Sequence, residues 1–311
     1  MKIESFPRKL FLFRNNLCMF AQTQNELHNM KHMSILAVSL LALVACTPEK
    51  KQEADYSQYV NPMIGTDFTG NTYPGAQVPF GMVQLSPDNG LPGWDRISGY
   101  FYPDTTIAGF SHTHLSGTGA GDLYDISFMP VTRPYKEAPA PLGIYSTFSH
   151  NDEAASAGYY RVLLKDYNIN VELTATERCG IQRYTFPEAE ASVFLNLKKA
   201  MNWDFTLDSK IEVVDSTTIR GYRLSQGWSP LQHVYFETRF SKPFVACHMD
   251  TTSIVTKEKG WIGTAYVARF DFNTKKDEEI LVTTGISGVS MEGAGKNLRA
   301  EAPKDDFDYY Q

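Results

Sequence analysis

The chain of 311 residues has only four cysteines, and none stands in a Cys-x-x-Cys pair or in a Cys/His cluster at zinc spacing. A cysteine-built zinc site or dithiol redox motif is therefore excluded. An apolar run long enough to span a bilayer as a helix is also missing, because Ile35 to Ala45 covers 11 residues. After that run, no long amphipathic helical pattern occurs, which argues against a helical bundle.

Positive charge is scarce, with 29 Lys and Arg against 35 Asp and Glu and a net charge of −6. No basic patch of the kind that a phosphate backbone requires is present, so nucleic acid is excluded as a partner. The glycine-rich segment Gly117 to Gly121 lacks a following Gly-Lys-Ser/Thr and precedes a strand-like stretch. We therefore interpret it as a tight irregular loop near a ligand, not as a nucleotide-binding loop.

The N-terminal region has the pattern of an export signal. Residues 30–45 begin with positive charge and continue as a short apolar run, and Leu43 to Cys46 resembles a bacterial lipoprotein box. We predict a signal peptide over 30–45, lipid attachment at Cys46, a polar tether over 46–57, and an outer-membrane or periplasmic location with a membrane anchor. Residues 1–29 precede a complete signal, and we interpret them as a start codon assigned too early.

The remainder of the chain predicts strand after strand. Ile169, Val171, Leu173 and Ala175 alternate with polar residues, and similar alternation recurs near Phe236 and Phe270. Many short strands with turn signals between them predict an all-β fold, an antiparallel sandwich or barrel. Cys179 and Cys247 could form a disulfide in an exported protein or remain separate thiols. Residues 291–311 turn polar, begin a helix-like pattern and close no core, so we expect a linker of a longer polypeptide there.

Chemistry is concentrated between Asn61 and Asp125, in a run dense in glycine, proline, aromatics, histidine and aspartate. His112 and His114 are two residues apart, and with Asp122 they could ligate zinc or iron. The alternative is that the histidines form local hydrogen bonds or face a ligand without metal. Trp94 is either an anchor over the core or a platform for the apolar face of a sugar. The other three tryptophans lie near strands, and we expect them to pack inside: Trp203, Trp228 and Trp261.

Three spaced signatures carry a resemblance to a known family. NPMIGT at 61–66, YPGAQVPFGMVQLSPD at 73–88 and GYFYPDTTIAGFSHTHLSGTGAGD at 99–122 resemble the N-terminal domain of glycoside hydrolase family 92. The resemblance is strongest from Tyr59 to Asp125 and continues more weakly to about Leu298. Members of this family are calcium-dependent exo-α-mannosidases that act by inversion on N-glycans and yeast mannan.

The resemblance implies a galactose mutarotase-like β-sandwich over 58–293, followed by a helical linker that begins over 294–311. In the family an (α/α)6 barrel then supplies the general acid, the general base and the calcium site. That barrel is absent from this sequence, so the resemblance assigns no catalytic residue, cofactor or calcium ligand to this chain. The barrel is expected as its missing partner.

The resemblance also assigns candidate binding residues. A tryptophan of the N-terminal domain lines the leaving-sugar subsite in α-1,2-specific members, and Trp94 matches its place. His112, His114 and Asp122 are further candidate contacts to an α-mannoside glycan. The chain is thus expected to be the pocket-shaping, carbohydrate-binding half of an exported α-mannosidase, inactive alone. The alternative is a free-standing carbohydrate-binding surface lipoprotein.

Overall fold

A computed structural model describes residues 55–140, 142–198, 202–256 and 261–311, with the side chains of 252–256, 261–263 and 265 left out. The predicted signal peptide, the lipid site Cys46 and most of the tether lie outside the described residues. No helix within the described ranges is long and apolar enough to cross a membrane.

The described chain contains eighteen strands, and every pairing between them is antiparallel. They are β1 (Ser86–Asp88), β2 (Thr106–Ile107), β3 (Gly109–Ser111), β4 (Ser127–Thr132), β5 (Glu137–Ala138), β6 (Gly143–Ile144), β7 (Ser146–Thr147), β8 (Glu153–Ser156), β9 (Tyr159–Leu164), β10 (Ile169–Ala175), β11 (Cys179–Phe186), β12 (Ala189–Asn196), β13 (Phe205–Val213), β14 (Thr218–Gln226), β15 (Gln232–Phe240), β16 (Ala246–Thr256), β17 (Trp261–Thr274) and β18 (Glu278–Ser287).

Two large sheets contain most of these strands. One has six strands in the order β1-β3-β4-β12-β17-β16, and the other has eight in the order β13-β14-β15-β18-β11-β10-β9-β8. Apolar side chains from both sheets form one buried cluster that includes Phe128 and Phe270 from the first sheet and Val171 and Phe236 from the second. The all-β antiparallel sandwich predicted from the sequence is confirmed.

The strand predicted from alternating apolar and polar residues at 169–175 is present as β10. In β10, Ile169, Val171 and Leu173 are buried while Asn170 and Glu172 are partly exposed. Along the strand, successive side chains point to opposite faces, so one face joins the core and the other meets solvent. Burial of that apolar face is what holds the strand in register.

The edge strand β13 also bonds to the opposite sheet. Its register shifts between Thr206 and Asp208, which marks a bulge. Asp208 then accepts a hydrogen bond from the amide of Thr264 (2.8 Å), and Ser209 donates to the carbonyl of Thr264 (2.9 Å). Because a bulge turns side chains away from the regular ladder, β13 can close one side of the sandwich against β17.

Residues 291–311 pack on the sandwich, so the expectation that they close no core is wrong. Helix α1 (Met291–Glu301) begins at the N-cap Ser290, whose hydroxyl accepts from the amide of Gly293, and it crosses the predicted boundary at 293. A short helix α2 (Phe307–Tyr310) follows. Apolar residues of this C-terminal segment and of β11 and β18 form a second cluster on the outer face of the eight-stranded sheet: Cys179, Ile181, Leu281, Leu298, Ala302 and Phe307.

Polar contacts reinforce this packing. The Glu301 carboxylate accepts from the Thr176 hydroxyl (2.6 Å), the Arg178 amide (2.8 Å) and the Arg178 side chain. These bonds keep the pKa of Glu301 below its ordinary value although burial alone raises it. Cys179 and Cys247 are free thiols, and the first is buried under α1.

Replacing Leu298 by alanine tests whether α1 belongs to the folded unit. Leu298 is 2% exposed, so its truncation should lower the free energy of unfolding by about 2 to 4 kcal/mol through lost burial and a cavity. Urea denaturation measures the change, and Lys296→Ala on the exposed side of the same helix is the control. Equal unfolding midpoints for both variants would mean that α1 contributes nothing to the fold.

Candidate functional site

The dense run folds as loops at the end of the six-stranded sheet. Only the short strands β1, β2 and β3 interrupt it before Asp125, in keeping with its glycine and proline content. Trp94 begins a single 3-10 turn, Trp94–Arg96. The Arg96 guanidinium binds the Asp104 carboxylate (2.5 Å) and lies 4.7 Å from the centre of the Phe101 ring, so this turn is held from below.

Trp94 does not stand alone. Its ring centre lies 6.5 Å from that of Trp203, with an angle of 32° between the ring planes. The two side chains are 57% and 43% exposed, so both keep open faces toward solvent. The expectation that Trp203 packs inside is therefore wrong. Trp228 is 78% exposed and also contradicts it, whereas the side chain of Trp261 lies outside the described residues.

Asn202 holds the two tryptophans together. Its Oδ1 accepts from the amide of Gly93 (3.0 Å), and its Nδ2 donates to the Arg96 carbonyl (3.4 Å) and to the Tyr124 hydroxyl (3.3 Å). One side chain adjacent to Trp203 thus spans both ends of the turn that carries Trp94. The aromatic pair is therefore positioned before any ligand arrives, which lowers the entropic cost of binding.

The glycine-rich loop lies directly against this pair. A Cβ on Gly119 would sit 3.3 Å from the Trp94 ring, and a Cβ on Gly121 would come within 2.7 Å of the Asn202 Cβ. The second approach leaves no room for a side chain, so glycine is required at 121 by contact, not by backbone angle.

A buried ion network lies beneath the pair. The Arg223 guanidinium, 1% exposed, binds Asp125 (2.7 Å) and Asp204 (2.9 Å) and also donates to the Leu123 carbonyl (3.2 Å). Asp125 further accepts from the hydroxyl of Thr113 and from the amide of Gln232. Since Asp204 follows Trp203 directly and Asp125 follows the glycine-rich loop, this guanidinium joins both walls of the site.

Two carboxylate oxygens in this region lack a hydrogen-bond donor among the described residues: Oδ1 of Asp204 and Oδ1 of Asp122. Asp122 is 5% exposed, and its other oxygen accepts from the amide of Ser229 (3.0 Å). Burial raises the pKa of Asp204 to about 6, against the lowering effect of Arg223. The negative charges of Asp125 and Asp122 add to this rise in the pKa of Asp204, because they disfavour its ionised form.

His112 and His114 lie inside the protein. His112 is fully buried, its Nδ1 lies 2.7 Å from the carbonyl of Ile126, and burial lowers its pKa to about 4. Nδ1 of His114 lies 2.7 Å from the Gln84 carbonyl, and its Nε2 lies 3.0 Å from Asp88 and 3.1 Å from the Ser111 hydroxyl. Both rings therefore lie beneath the surface of this chain, and their roles as sugar contacts stay predictions, as does that of Asp122.

The metal hypothesis needs a group of ligands around one point. Within the described residues no group of three or more His, Cys, Asp or Glu side chains is arranged to hold a metal ion. His112 and His114 instead bond to separate carbonyls on opposite sides, Ile126 and Gln84. No metal ligand is therefore assigned to the described part of the chain.

Sequence reasoning missed Asn202, Trp203, Asp204 and Arg223. Arg223 occupies an inward position of β14, where alternate residues are buried, and an arginine in such a place requires a buried anion. Trp203 lies between asparagine and aspartate two residues before β13 begins, a pattern more typical of a loop than of the core.

Asp204 and His112 predict opposite pH effects. Asp204 has a raised pKa, so its contribution to stability is present below pH 4 and lost as pH rises through about 6. The lowered pKa of His112 makes its contribution rise as pH increases from about 4 to 6.5. In the wild type the two slopes should largely cancel, since the pKa of Asp204 is raised and that of His112 is lowered over an overlapping pH range.

Single variants should reveal each slope. Relative to wild type, the free energy of unfolding of Asp204→Asn should increase as pH rises from 4 to 6, and that of His112→Asn should decrease as pH rises to 6.5. Denaturant titrations at pH 4, 5, 6 and 7 measure both. Parallel pH profiles for the two variants would contradict the assignment.

Comparison with known proteins gives this geometry a context. A model of the glycosyl hydrolase family 92 N-terminal domain matches residues 59–287. The structure of a family 92 α-mannosidase from Bacteroides thetaiotaomicron in complex with mannoimidazole is 38% identical, with a TM-score of 0.72, over 79% of this chain and 34% of that one. A family 92 inverting mannosidase from B. thetaiotaomicron VPI-5482 is 26% identical, with a TM-score of 0.67, over 84% of this chain and 35% of that one.

A sequence relative comes from a fungus. A protein of Arthroderma benhamiae described as an uncharacterized secreted glycosidase is 26% identical over 172 residues, which cover 52% of this chain and 21% of the relative. The chain thus spans about a third of the length of the two solved mannosidases and about a fifth of the fungal protein.

Proposed function

This chain belongs to glycosyl hydrolase family 92, and we propose that it binds α-mannoside glycans at the Trp94–Trp203 pair as the pocket-shaping part of an exported α-mannosidase. The observation that carries this proposal is the pair itself, two half-exposed indoles 6.5 Å apart on turns that one asparagine ties together. The solved relatives named as mannosidases support α-mannosides as the class of ligand.

The chemistry of the pair suits a neutral sugar. An indole offers an electron-rich face to the C–H groups on one side of a pyranose ring. The charged side chains of the network beneath the pair, Arg223, Asp125 and Asp204, lie below the surface and bind one another there. A ligand on the pair therefore meets aromatic carbon first, which favours an uncharged ring over a phosphate or a carboxylate.

The described residues around the tryptophan pair do not supply the two carboxyl groups that bond cleavage needs. Inverting glycosidases need a protonated carboxylic acid and a carboxylate that activates water on opposite sides of the sugar. Asp88 and Asp125 are fully buried, and Asp122 and Asp204 are nearly so, which keeps these four from an exposed glycosidic oxygen. We propose that the general acid and the general base lie in a domain outside these 311 residues.

We propose that the ligands of the calcium ion, which the family implies, also lie outside these residues. Calcium takes six to eight oxygen ligands, and the described residues offer no group of three or more acidic, histidine or cysteine side chains that could hold a metal. These residues therefore do not fit the ion. Export and a lipid anchor at Cys46 are part of the proposal and rest on the sequence motif, together with a relative described as secreted.

Truncating either indole should weaken sugar binding. With α-1,2-mannobiose titrated by calorimetry, Trp94→Ala and Trp203→Ala should each bind about tenfold more weakly, because each loses one stacking face. Tyr309→Ala, at an exposed aromatic residue of α2, is the control and should bind as wild type does. Unchanged affinity in both pair variants would overturn the assignment of this site.

The purified chain should bind without hydrolysing. Incubation with α-1,2-mannobiose should release no mannose above the blank, measured by anion-exchange chromatography, since general acid–base catalysis requires both groups in place. Release of mannose that disappears on heat denaturation of the protein would place the catalytic groups within these residues.

A further inference from the structure

A second cleft lies in the same dense run, and it shares no residue with the tryptophan pair. It is a shallow cleft, widely open to solvent, with a volume of about 510 Å³, and it is lined by Asn61, Met63, Gly65, Thr66, Asp67, Phe68 and Tyr102. That size is within the range of small-molecule sites. Its walls combine two aromatic rings with a carboxylate and an amide.

Phe68 forms one wall under backbone strain. Its φ is +51°, in the left-handed region that a bulky side chain rarely adopts, and the Asp67 carboxylate accepts from its amide (2.7 Å). The side chain is nevertheless 81% exposed, so the ring gains little packing in return. A strained conformation that presents an apolar ring to solvent is an outlier of the kind found at ligand sites.

Tyr102 forms the other wall and is held rigidly. One face of its ring stacks on His150, with ring centres 4.0 Å apart and planes within 9°. Both nitrogens of His150 are engaged, Nε2 with the Tyr102 carbonyl (2.7 Å) and Nδ1 with Glu153 (2.7 Å). Because the tyrosine is still 39% exposed, it keeps surface for a ligand.

Glu153 anchors this support from inside. Its side chain is 1% exposed and accepts from the hydroxyls of Tyr100 (3.0 Å) and Tyr160 (2.5 Å) as well as contacting His150. Tyr102 also donates its amide to the Thr66 carbonyl (2.8 Å), which ties the two walls of the cleft together. The cleft is thus built on buried polar contacts, a device that keeps a binding surface in one geometry.

We propose that this cleft is a second binding site for a neutral hexose ring, with Phe68 and Tyr102 as stacking faces. Asp67 accepts from the hydroxyls of the sugar, and the amide nitrogen of Asn61 donates to them, since Asn61 Oδ1 already accepts from the Met63 amide. The proposal rests on the proposed function for the class of ligand only. A glycan chain could then occupy both sites at once, and two linked contacts raise avidity beyond either alone.

A local probe tests the cleft without interference from the tryptophan pair. The full chain is labelled with 3-fluorotyrosine and titrated with methyl α-mannoside, and the Tyr102 fluorine signal is identified by its loss in Tyr102→Phe. The signal should move with saturation in wild type and in Trp94→Ala. In Phe68→Ala the apparent Kd should rise about tenfold through lost stacking.

Phe80 supplies a matched control. Its backbone is also in the left-handed region (φ +61°) and its side chain is fully exposed, but it does not line the cleft. Phe80→Ala should leave the titration of Tyr102 unchanged. Phe68→Gly, which relieves the strain, should keep or raise the melting temperature while weakening binding as Phe68→Ala does.

The outcomes separate the two sites. A Tyr102 signal that does not respond to the sugar, or that responds equally in Phe68→Ala and Phe80→Ala, overturns the second site whatever calorimetry finds at Trp94. A response to choline but not to the sugar also overturns it, because it assigns the cleft to cations. Loss of melting temperature together with binding in Phe68→Gly would make Phe68 a structural residue and would equally reject the proposal.

Discussion

The buried guanidinium of Arg223 is the interaction on which the candidate site depends. It lies between Asp125 and Asp204, which belong to segments far apart in sequence, and all three side chains are almost fully buried. Removing one partner from such a buried pair leaves an uncompensated charge, at a typical cost of about 3 to 5 kcal/mol. The loop before β4 and the segment that carries Trp203 are thereby fixed to β14 and to each other.

The sandwich supplies a rigid core, and its loops carry the candidate site. Two antiparallel sheets bury a large apolar core, and their rigidity allows loops with little regular structure to keep defined shapes. Asn202 supports the tryptophan pair, and Glu153 supports the cleft in a similar way. Each places a largely buried polar side chain beneath the site and forms several hydrogen bonds to the groups around it. Exposed aromatic rings are then held by polar contacts below them, so they need no apolar packing of their own.

Much of the fold could be predicted from the sequence because strand alternation is local. The pattern at Ile169 to Ala175 defines which face is buried without reference to any other strand. The C-terminal helix was misjudged for the opposite reason. Leu298 and Phe307 are spaced among polar residues, and only the outer face of β11 and β18 supplies the apolar partners that bury them.

The candidate site, like the fold, has features that follow from local sequence and features that depend on contacts between distant segments. Sequence by itself determined the all-β class and the family resemblance and made Trp94 a candidate binding residue, because each depends on residue types in a contiguous pattern. Only the tertiary structure decided that Trp203 joins Trp94, that His112 and His114 lie beneath the surface, and that Arg223 binds two distant aspartates. The physical reason is that burial and pairing depend on which segments meet in space, and periodicity along one strand carries no information about its partners.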